Sequence, residues 1–245
     1  MTFDDQSGRK NGSGRKMMLE IIGTMAWSAA HPGAVIGILE MTRVENKLAC
    51  APLDRRKREV EARLRADYGA YSRKEFLSLP LMSAYEQYYR RFDKTYHVLL
   101  QVESIARKGK SLPDVSPLVD ANFAAEVDSF VLTAGHDAAR LVEPVCIDIA
   151  SDADTLTTMS GETRAIRAGD MVMRDARSVC CTILYGQDNH SPITPDTTEV
   201  LYVSYAPRGV PAEIVEAHLR QIERNVRLFS PSAVTAQCGL LRASS

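Results

Sequence analysis

The residues best suited to chemistry lie near the middle of the chain, at Gly135-His136-Asp137. An imidazole titrates near neutral pH, so His136 is the natural candidate for a base that activates or orients a water molecule. The alternative is a histidine held by local hydrogen bonds within a turn. Asp137 stands just before residues 138–141, where capping of the following turn is the simpler interpretation of an aspartate.

A second polar set lies upstream, in the run Val119-Asp120-Ala121-Asn122-Phe123. Asp120 and Asn122 either line a site or fix the backbone of the connecting segment. Their positions in the sequence do not separate these two roles, so both stay open.

A third polar stretch is Gly186-Gln187-Asp188-Asn189-His190. Gly186 allows the close approach of a ligand, or simply a turn. The loop tip formed by Asp188, Asn189 and His190 is suited to the rim of a site.

Neither a metal nor another cofactor is predicted. His136, Asp137, Asp188 and His190 are residues of metal-ligand type, but nothing in their spacing requires an ion. The five cysteines are scattered without a C-x-x-C pair, which indicates neither a zinc knuckle nor a disulfide framework. This cysteine usage predicts a reducing cytoplasm.

Three blocks of sequence, taken in order, resemble the editing domain of the phenylalanyl-tRNA synthetase β subunit, usually called the B3/B4 domain. The first is 118–122 with Gly135-His136-Asp137; the second is 169–186; the third is 194–200, leading into 201–205. None is a sharp motif alone, but their order and spacing together are fairly specific. The resemblance covers roughly residues 26–231.

The resemblance implies an α+β fold of the B3/B4 type, in which helices pack on a mixed sheet and the N-terminal half is helical. It also implies a site for an aminoacyl group on the terminal adenosine of tRNA. The parent domain hydrolyses tyrosine wrongly esterified to phenylalanine tRNA, using water rather than a covalent nucleophile. The protein then has to position the ester and stabilise the developing oxyanion.

The chain departs from the parent pattern at several site positions. The synthetase motif reads V-D-x-T-N-Y and then G-x-P-x-H-A-F-D, and the interval from Asp120 to Asp137 matches it without a gap. Asn122 then falls on the threonine and Ala134 on the site histidine. His136 lies two residues later, on the same side of an extended segment. The predicted catalytic residues are His136 and Asn122. The predicted substrate-binding residues are Asp120, Phe123, Ala134, Gly135, Gly186, Asp188 and Asn189.

The function implied by this resemblance is hydrolysis of a mischarged aminoacyl-tRNA in trans. The partner would be an aminoacyl-tRNA or its aminoacyl end. The altered site positions leave an alternative open, a non-catalytic module that binds an amino acid, a related metabolite or tRNA. The sequence leaves the oligomeric state open.

Helices are predicted to precede the site residues, over 53–68, 73–92 and 95–107. Pro80 predicts a kink or a split in the second helix. Gly109 stands where the third helix needs a C-terminal cap.

Strands dominate the second half of the chain. They are predicted at 145–149, 171–173, 178–185 and 200–205, after an earlier strand at 35–41 within a β-like segment, 17–43. Residues 118–127 fit either a short helix or a strand, and Pro211 opens a final helix. Cys180 and Cys181 are adjacent in a strand, so one is expected to face the interior and the other to face outward.

The domain plan follows from these elements. Residues 1–16 are expected to be a flexible lead, 17–231 one B3/B4-like domain, and 232–245 a weakly ordered tail. Within the domain, 50–110 is the helix-rich front and 111–231 the strand-rich site half. No apolar run approaches the ~20 residues that span a bilayer, so no membrane association is expected. The net charge of −1 argues against a surface that binds nucleic acid all over, but allows a local basic patch.

Overall fold

The computed structural model describes residues 18–46 and 50–244, so the predicted flexible lead lies outside the described residues. Helices and strands are both abundant in these residues, which confirms the α+β class. The helices are α1 (Met25–Ala30), α2 (Ala51–Tyr68), α3 (Arg73–Ser78), α4 (Pro80–Arg90), α5 (His97–Lys108), α6 (Pro117–Ser129) and α7 (Ala212–Arg227). The strands are β1 (Ile21–Gly23), β2 (Val35–Thr42), β3 (Thr133–Asp137), β4 (Val145–Ile149), β5 (Thr155–Thr157), β6 (Thr163–Ala165), β7 (Met171–Arg174), β8 (Val179–Thr182), β9 (Gly186–Gln187), β10 (Glu199–Ala206) and β11 (Val234–Arg242).

The helical front half follows its local signals closely. Ser72 and Glu75 form a reciprocal capping box at the start of α3. Pro80 takes the first turn of α4, so the predicted helix over 73–92 is split there, as its ring requires. Gly109 ends α5 with φ 67°, a left-handed conformation that glycine adopts without steric cost.

One sheet has the strand order β11-β2-β10-β3, and all its pairs are antiparallel. We call it the β2–β10 sheet, because β2 and β10 pair over their whole length. One of its faces is buried by α6 and α7 through a cluster that includes Leu39, Tyr202 and Leu219. Gly37 allows α7 to approach closely, since a Cβ at that position would lie 2.7 Å from Val215.

The second sheet has the order β1-β4-β7-β8-β9 and is mixed, because β1 runs parallel to β4 while the other pairs are antiparallel. We call it the β4–β7 sheet. It shares one hydrophobic core with the other face of the β2–β10 sheet and with the tyrosines of α4. This core contains Met171 and Ile183 from the β4–β7 sheet and the residue after β8, Ile38 and Val203 from the β2–β10 sheet, and Tyr85 and Tyr89 from α4.

Three local expectations were wrong. The tail predicted after residue 231 forms β11, which pairs with β2 and completes the β2–β10 sheet at that edge. The segment 17–43 contains the helix α1 between its two strands; Thr24 caps this helix by accepting the Trp27 N–H. Cys180 and Cys181 are both buried, because both faces of β8 are covered by protein.

A buried lysine fixes the segment that leads into α6. Lys57 of α2 is fully buried, and its Nζ donates to the Pro113 carbonyl, to Asp114 and to Asp120, at 2.6, 2.5 and 2.8 Å. Burial works to lower the pKa of Lys57, but the hydrogen bonds to the two carboxylates outweigh it and raise the pKa. Asp120 also accepts the N–H of Val115. This arrangement sets where α6 begins.

Replacing Lys57 by Met should lower the free energy of unfolding by about 3–5 kcal/mol, because the buried carboxylate of Asp120 loses its cation. Urea denaturation measures this loss. The double variant Lys57→Met/Asp120→Asn should recover part of it, and Lys74→Met, at an exposed position on α3, should change stability by less than about 0.5 kcal/mol. A Lys57→Met variant as stable as the parent would contradict this assignment.

Candidate functional site

Strand β3 lies at an edge of the β2–β10 sheet, and two side chains of α6 hold its first residue. Asn122 Nδ2 donates to the Thr133 carbonyl at 3.0 Å, and Thr133 N–H donates to Glu126 Oε1 at 2.9 Å. Asn122 and Glu126 are one helical turn apart, so they reach the strand from one face of α6. Both backbone groups of Thr133 therefore point away from β10.

The far end of β3 is held from the same side, because Asp137 N–H donates to the Ser191 carbonyl at 2.9 Å. Backbone groups alternate in direction along an antiparallel strand. Gly135 lies midway, so its N–H and C=O also point outward. Neither group forms a hydrogen bond on that side with any of the described residues. Along the outer edge of β3, the backbone of Gly135 is thus unpaired, while the backbones of Thr133 and Asp137 on either side of it are hydrogen-bonded.

Gly135 has no room for a side chain on the sheet face it occupies. A Cβ there would lie 2.9 Å from Ile193 Cδ1 and 3.1 Å from the Tyr202 ring. The ring of Tyr202 is itself fixed, because its hydroxyl donates to the Leu118 carbonyl at 2.7 Å. The glycine lets the backbone of β3 lie flat against this ring while its polar groups face outward.

Strand β9 and helix α6 both lie beside β3 at this edge. We use the name edge cleft for the residues of these three elements around Gly135, which are Asn122, Phe123, Ala134, Gly135, Gly186 and Gln187. All of them except Asn122, which is buried, are half-buried. Gly186 has φ 80°, and the direction its Cβ would take is open space. Space is therefore open on the Cβ side of Gly186.

Two predicted site residues each carry a buried polar atom without a hydrogen-bond partner in the described residues. They are Asn122 Oδ1 and His136 Nε2. An unsatisfied buried acceptor costs about 1–3 kcal/mol. Most buried polar groups in proteins are paired, so such atoms call for an explanation. Both atoms lie below the surface, so the structure as it stands gives a ligand no direct access to them.

His136 belongs to a buried chain of hydrogen bonds. Ser191 Oγ donates to Asp188 Oδ1 at 2.8 Å and lies 2.8 Å from His136 Nδ1. The side-chain amide of Gln187 lies on the same side, with its Nε2 3.4 Å from His136 Nδ1. Burial lowers the pKa of His136 to about 3, so the ring is neutral at physiological pH. The imidazole has no exposed surface and joins β3 to the 188–191 loop.

The other predicted residues are distributed around the cleft rather than within it. Asp120 is committed to Lys57, at the start of α6. Asp137 caps the short 3-10 turn that follows it by accepting the Ala139 N–H, the interpretation favoured from sequence. Asn189 is exposed at the loop tip, while Asp188 is buried behind it. The predicted residues Asn122, Phe123, Ala134, Gly135 and Gly186 thus lie on α6, β3 and β9, which are neighbours in the fold.

Sequence reasoning missed Glu126, Gln187 and Ser191. Gln187 Nε2 donates to the Ser191 carbonyl at 2.8 Å, which fixes the loop beside His136. The available signal for Glu126 was its position four residues after Asn122, on the same helical face. The link from Ser191 to the site had no signal, because His136 and Asp137, its partners on β3, are distant in sequence.

Neither a metal site nor a membrane span is found in the part of the chain that the structure describes. No group of three or more His, Cys, Asp and Glu side chains there is arranged to hold an ion. Among the helices of residues 18–46 and 50–244, none combines the length and apolar character needed to cross a bilayer.

Comparison with known proteins gives a matching family and similar solved structures. The family model described as the B3/4 domain matches residues 84–227. A crystal structure of an N-terminal fragment of the phenylalanyl-tRNA synthetase β subunit from Pyrococcus horikoshii is similar at 10% identity, with a TM-score of 0.42. The match covers 87% of this chain and 51% of that chain, so the present chain spans about half the length of that fragment. No curated protein matches the chain.

Glu126 makes the stability of this region depend on pH. Burial raises the pKa of its carboxyl to about 8, against the lowering effect of the Thr133 N–H, from an ordinary value of 4.5. Between these two pH values the folded state binds a proton that the unfolded chain has lost. The contribution of Glu126 to stability is therefore complete below pH 4.5 and is lost as the pH rises through 8.

Glu126→Gln keeps an oxygen for the Thr133 N–H but does not titrate. We expect it to flatten the fall of unfolding free energy with pH by up to about 1.4 kcal/mol per pH unit within this window. Denaturant unfolding at a series of pH values from 5 to 8.5 measures the slope. Glu216→Gln, at an exposed position on α7, should leave the slope unchanged. Equal slopes for Glu126→Gln and the parent protein would refute the raised pKa.

Proposed function

The chain belongs to the B3/4 domain family, whose model matches more than half of its residues, and we propose that it is an editing-type protein that hydrolyses the ester of a mischarged aminoacyl-tRNA in trans. The observation that carries the proposal is the unpaired backbone of Gly135, on the strand that Asn122 holds through the Thr133 carbonyl. A reducing cytoplasm, expected from the cysteines, is the proposed setting.

The edge cleft offers groups that complement an aminoacyl ester. The α-ammonium group of the ester is a donor that fits the acceptor Gly135 C=O, and it reaches the buried Asn122 Oδ1 if the side chains that cover this atom move aside. The ester carbonyl is an acceptor that fits the Gly135 N–H. A fixed N–H aimed at the carbonyl oxygen stabilises the negative charge that develops there during attack.

The proposed reaction needs only water and positioning. The oxygen of a water molecule bonds to the ester carbonyl carbon, and the resulting oxyanion accepts the Gly135 N–H. The bond to the ribose oxygen then breaks, and that oxygen takes one proton of the water. The products are a free amino acid and an uncharged tRNA end, and the second proton leaves to solvent.

His136 remains in the proposed site, in a positioning role. General-base catalysis requires hydrogen-bond contact with the water that is activated. The ring has no exposed surface, and its Nδ1 is engaged with Ser191. Through Ser191 and Asp188 it holds the loop whose Ser191 carbonyl receives the Asp137 N–H, and so supports the open edge at Gly135.

The substrate side chain has a candidate pocket next to the cleft. A cavity of about 250 Å³ lies between α5 and the segment before α6, and it shares Phe123 with the edge cleft. Leu112 and Ile105 contribute apolar walls, and Lys110 and Ser111 contribute polar groups. An apolar or aromatic side chain suits such a lining.

A non-catalytic amino-acid-binding module is the second candidate. One specific observation favours it: no member of the edge cleft carries a titratable side chain. A thermal-shift screen with free amino acids addresses it, because a ligand that binds only the folded state raises apparent stability. A concentration-dependent rise in melting temperature with no hydrolysis of any charged tRNA would favour binding over catalysis.

The hydrolysis proposal is tested with purified protein and a panel of mischarged tRNAs that includes tyrosyl-tRNA(Phe). Asn122→Ala should lower kcat/KM at least tenfold, because the substrate loses its acceptor and Thr133 loses a donor. The matched control is Asn225→Ala, since Asn225 is also a buried amide that donates to a backbone carbonyl, that of Ala121.

The control should lower the melting temperature but keep kcat/KM within about twofold for the folded protein. Hydrolysis no faster than the uncatalysed background on every tRNA of the panel would overturn the proposed activity. An Asn122→Ala variant with unchanged kcat/KM would remove Asn122 from the site.

A further inference from the structure

A second cavity lies far along β10 from Gly135, and its lining is rich in cations. Its volume is about 450 Å³, and it is formed by the turn before β2, the last two turns of α4 and the loop after β10. The polar and aromatic lining residues are His31, Gln87, Tyr88, Arg91 and Arg208. The lining contains no carboxylate, so nothing in the wall neutralises the two guanidinium groups.

Both arginines are held in place by contacts other than an ion pair. The guanidinium carbon of Arg91 lies 5.4 Å from the ring centres of Tyr88 and Phe92, a cation–π arrangement that orients the planar group. The stem of Arg208 packs over Gly33, where an added Cβ would lie 3.5 Å from Arg208 Cγ. Neither arginine forms an ion pair with a carboxylate of the described residues.

The acid behind this cavity is shielded from it. Tyr88 presents its ring to Arg91, while its hydroxyl donates to Asp170 Oδ1 at 2.6 Å. Asp170 is fully buried and also accepts the Leu184 N–H. Burial raises the pKa of Asp170 to about 7, so its charge is partly suppressed at neutral pH.

We propose that this cavity, lined by Arg91 and Arg208, binds a phosphate group. Two planar guanidinium groups present forked donors that match phosphate oxygens, and the charge of a phosphate balances both cations better than a single carboxylate would. The volume leaves room for the group that carries the phosphate. The group is either a phosphomonoester of a small molecule or a phosphodiester of RNA. The site stands apart from the edge cleft, and the inference does not depend on the ester hydrolysis.

Neutral His31 adds a local reporter. Its Nε2 lies 3.1 Å from the Gly169 carbonyl, and burial, followed by the charge of Arg91, lowers the pKa of the ring to about 4. The chain has only five histidines, so the NMR signals of their ring protons can be assigned by substituting each histidine in turn. A phosphate in the cavity should perturb the His31 signal first.

The test uses the full chain and three probes: inorganic phosphate, 5′-AMP and a single-stranded RNA of eight nucleotides. Isothermal titration should detect binding of at least one probe. Arg91→Gln and Arg208→Gln should each weaken it at least fivefold. Arg90→Gln is the matched control, because Arg90 is an exposed neighbour on α4 that does not line the cavity. It removes the same charge and should change affinity less than twofold.

A second variant and a comparison of the probes complete the test. Arg91→Lys retains the charge if the glutamine variant does not fold, and it should still weaken binding because the fork is lost. Tighter, salt-dependent binding of RNA than of 5′-AMP would assign a phosphodiester, and the reverse order a phosphomonoester. No binding of any probe, equal weakening by Arg90→Gln, or a bound probe that leaves the His31 ring signals unmoved would overturn the proposal.

Discussion

The candidate site depends on the two hydrogen bonds by which side chains of α6 hold the backbone of Thr133. Asn122 and Glu126 satisfy both polar groups of one strand residue, which an edge strand would otherwise expose to water or to another chain. Because this residue is occupied and Asp137 is held by Ser191, only the unit at Gly135 stays open. The fold thus closes most of the edge of β3 and leaves one hydrogen-bonding unit available to a ligand.

Local signals were sufficient for most of the fold. The split at Pro80, the cap at Gly109 and the buried strand over 35–41 follow from backbone chemistry and short-range patterns, and the structure confirms them. The strand β11 was missed because the segment becomes a strand by pairing with β2, which lies about two hundred residues earlier in the sequence. The burial of both faces of β8 likewise depends on elements distant in sequence.

For the candidate site, the sequence predicts residues that the fold places on neighbouring elements. Asn122, Ala134, Gly135 and Gly186 lie on α6, β3 and β9, and their role as a site stays a prediction. The complete burial of the His136 side chain could not be predicted from its residue type, because burial depends on how the two sheets pack. Glu126 was overlooked for a related reason: a glutamate in a helix is normally a surface residue, and here its strand partner makes it an internal one.

The central claim is that the backbone of Gly135 binds the aminoacyl group, and amide hydrogen exchange at that residue tests it most directly. The ligand is an aminoacyl-adenosine analogue in which a stable amide replaces the ester. If the account is right, saturation with the analogue slows exchange of the Gly135 amide at least tenfold, while the amide of Thr133, already bonded to Glu126, changes little. Binding of the analogue with unchanged exchange at Gly135 would contradict it.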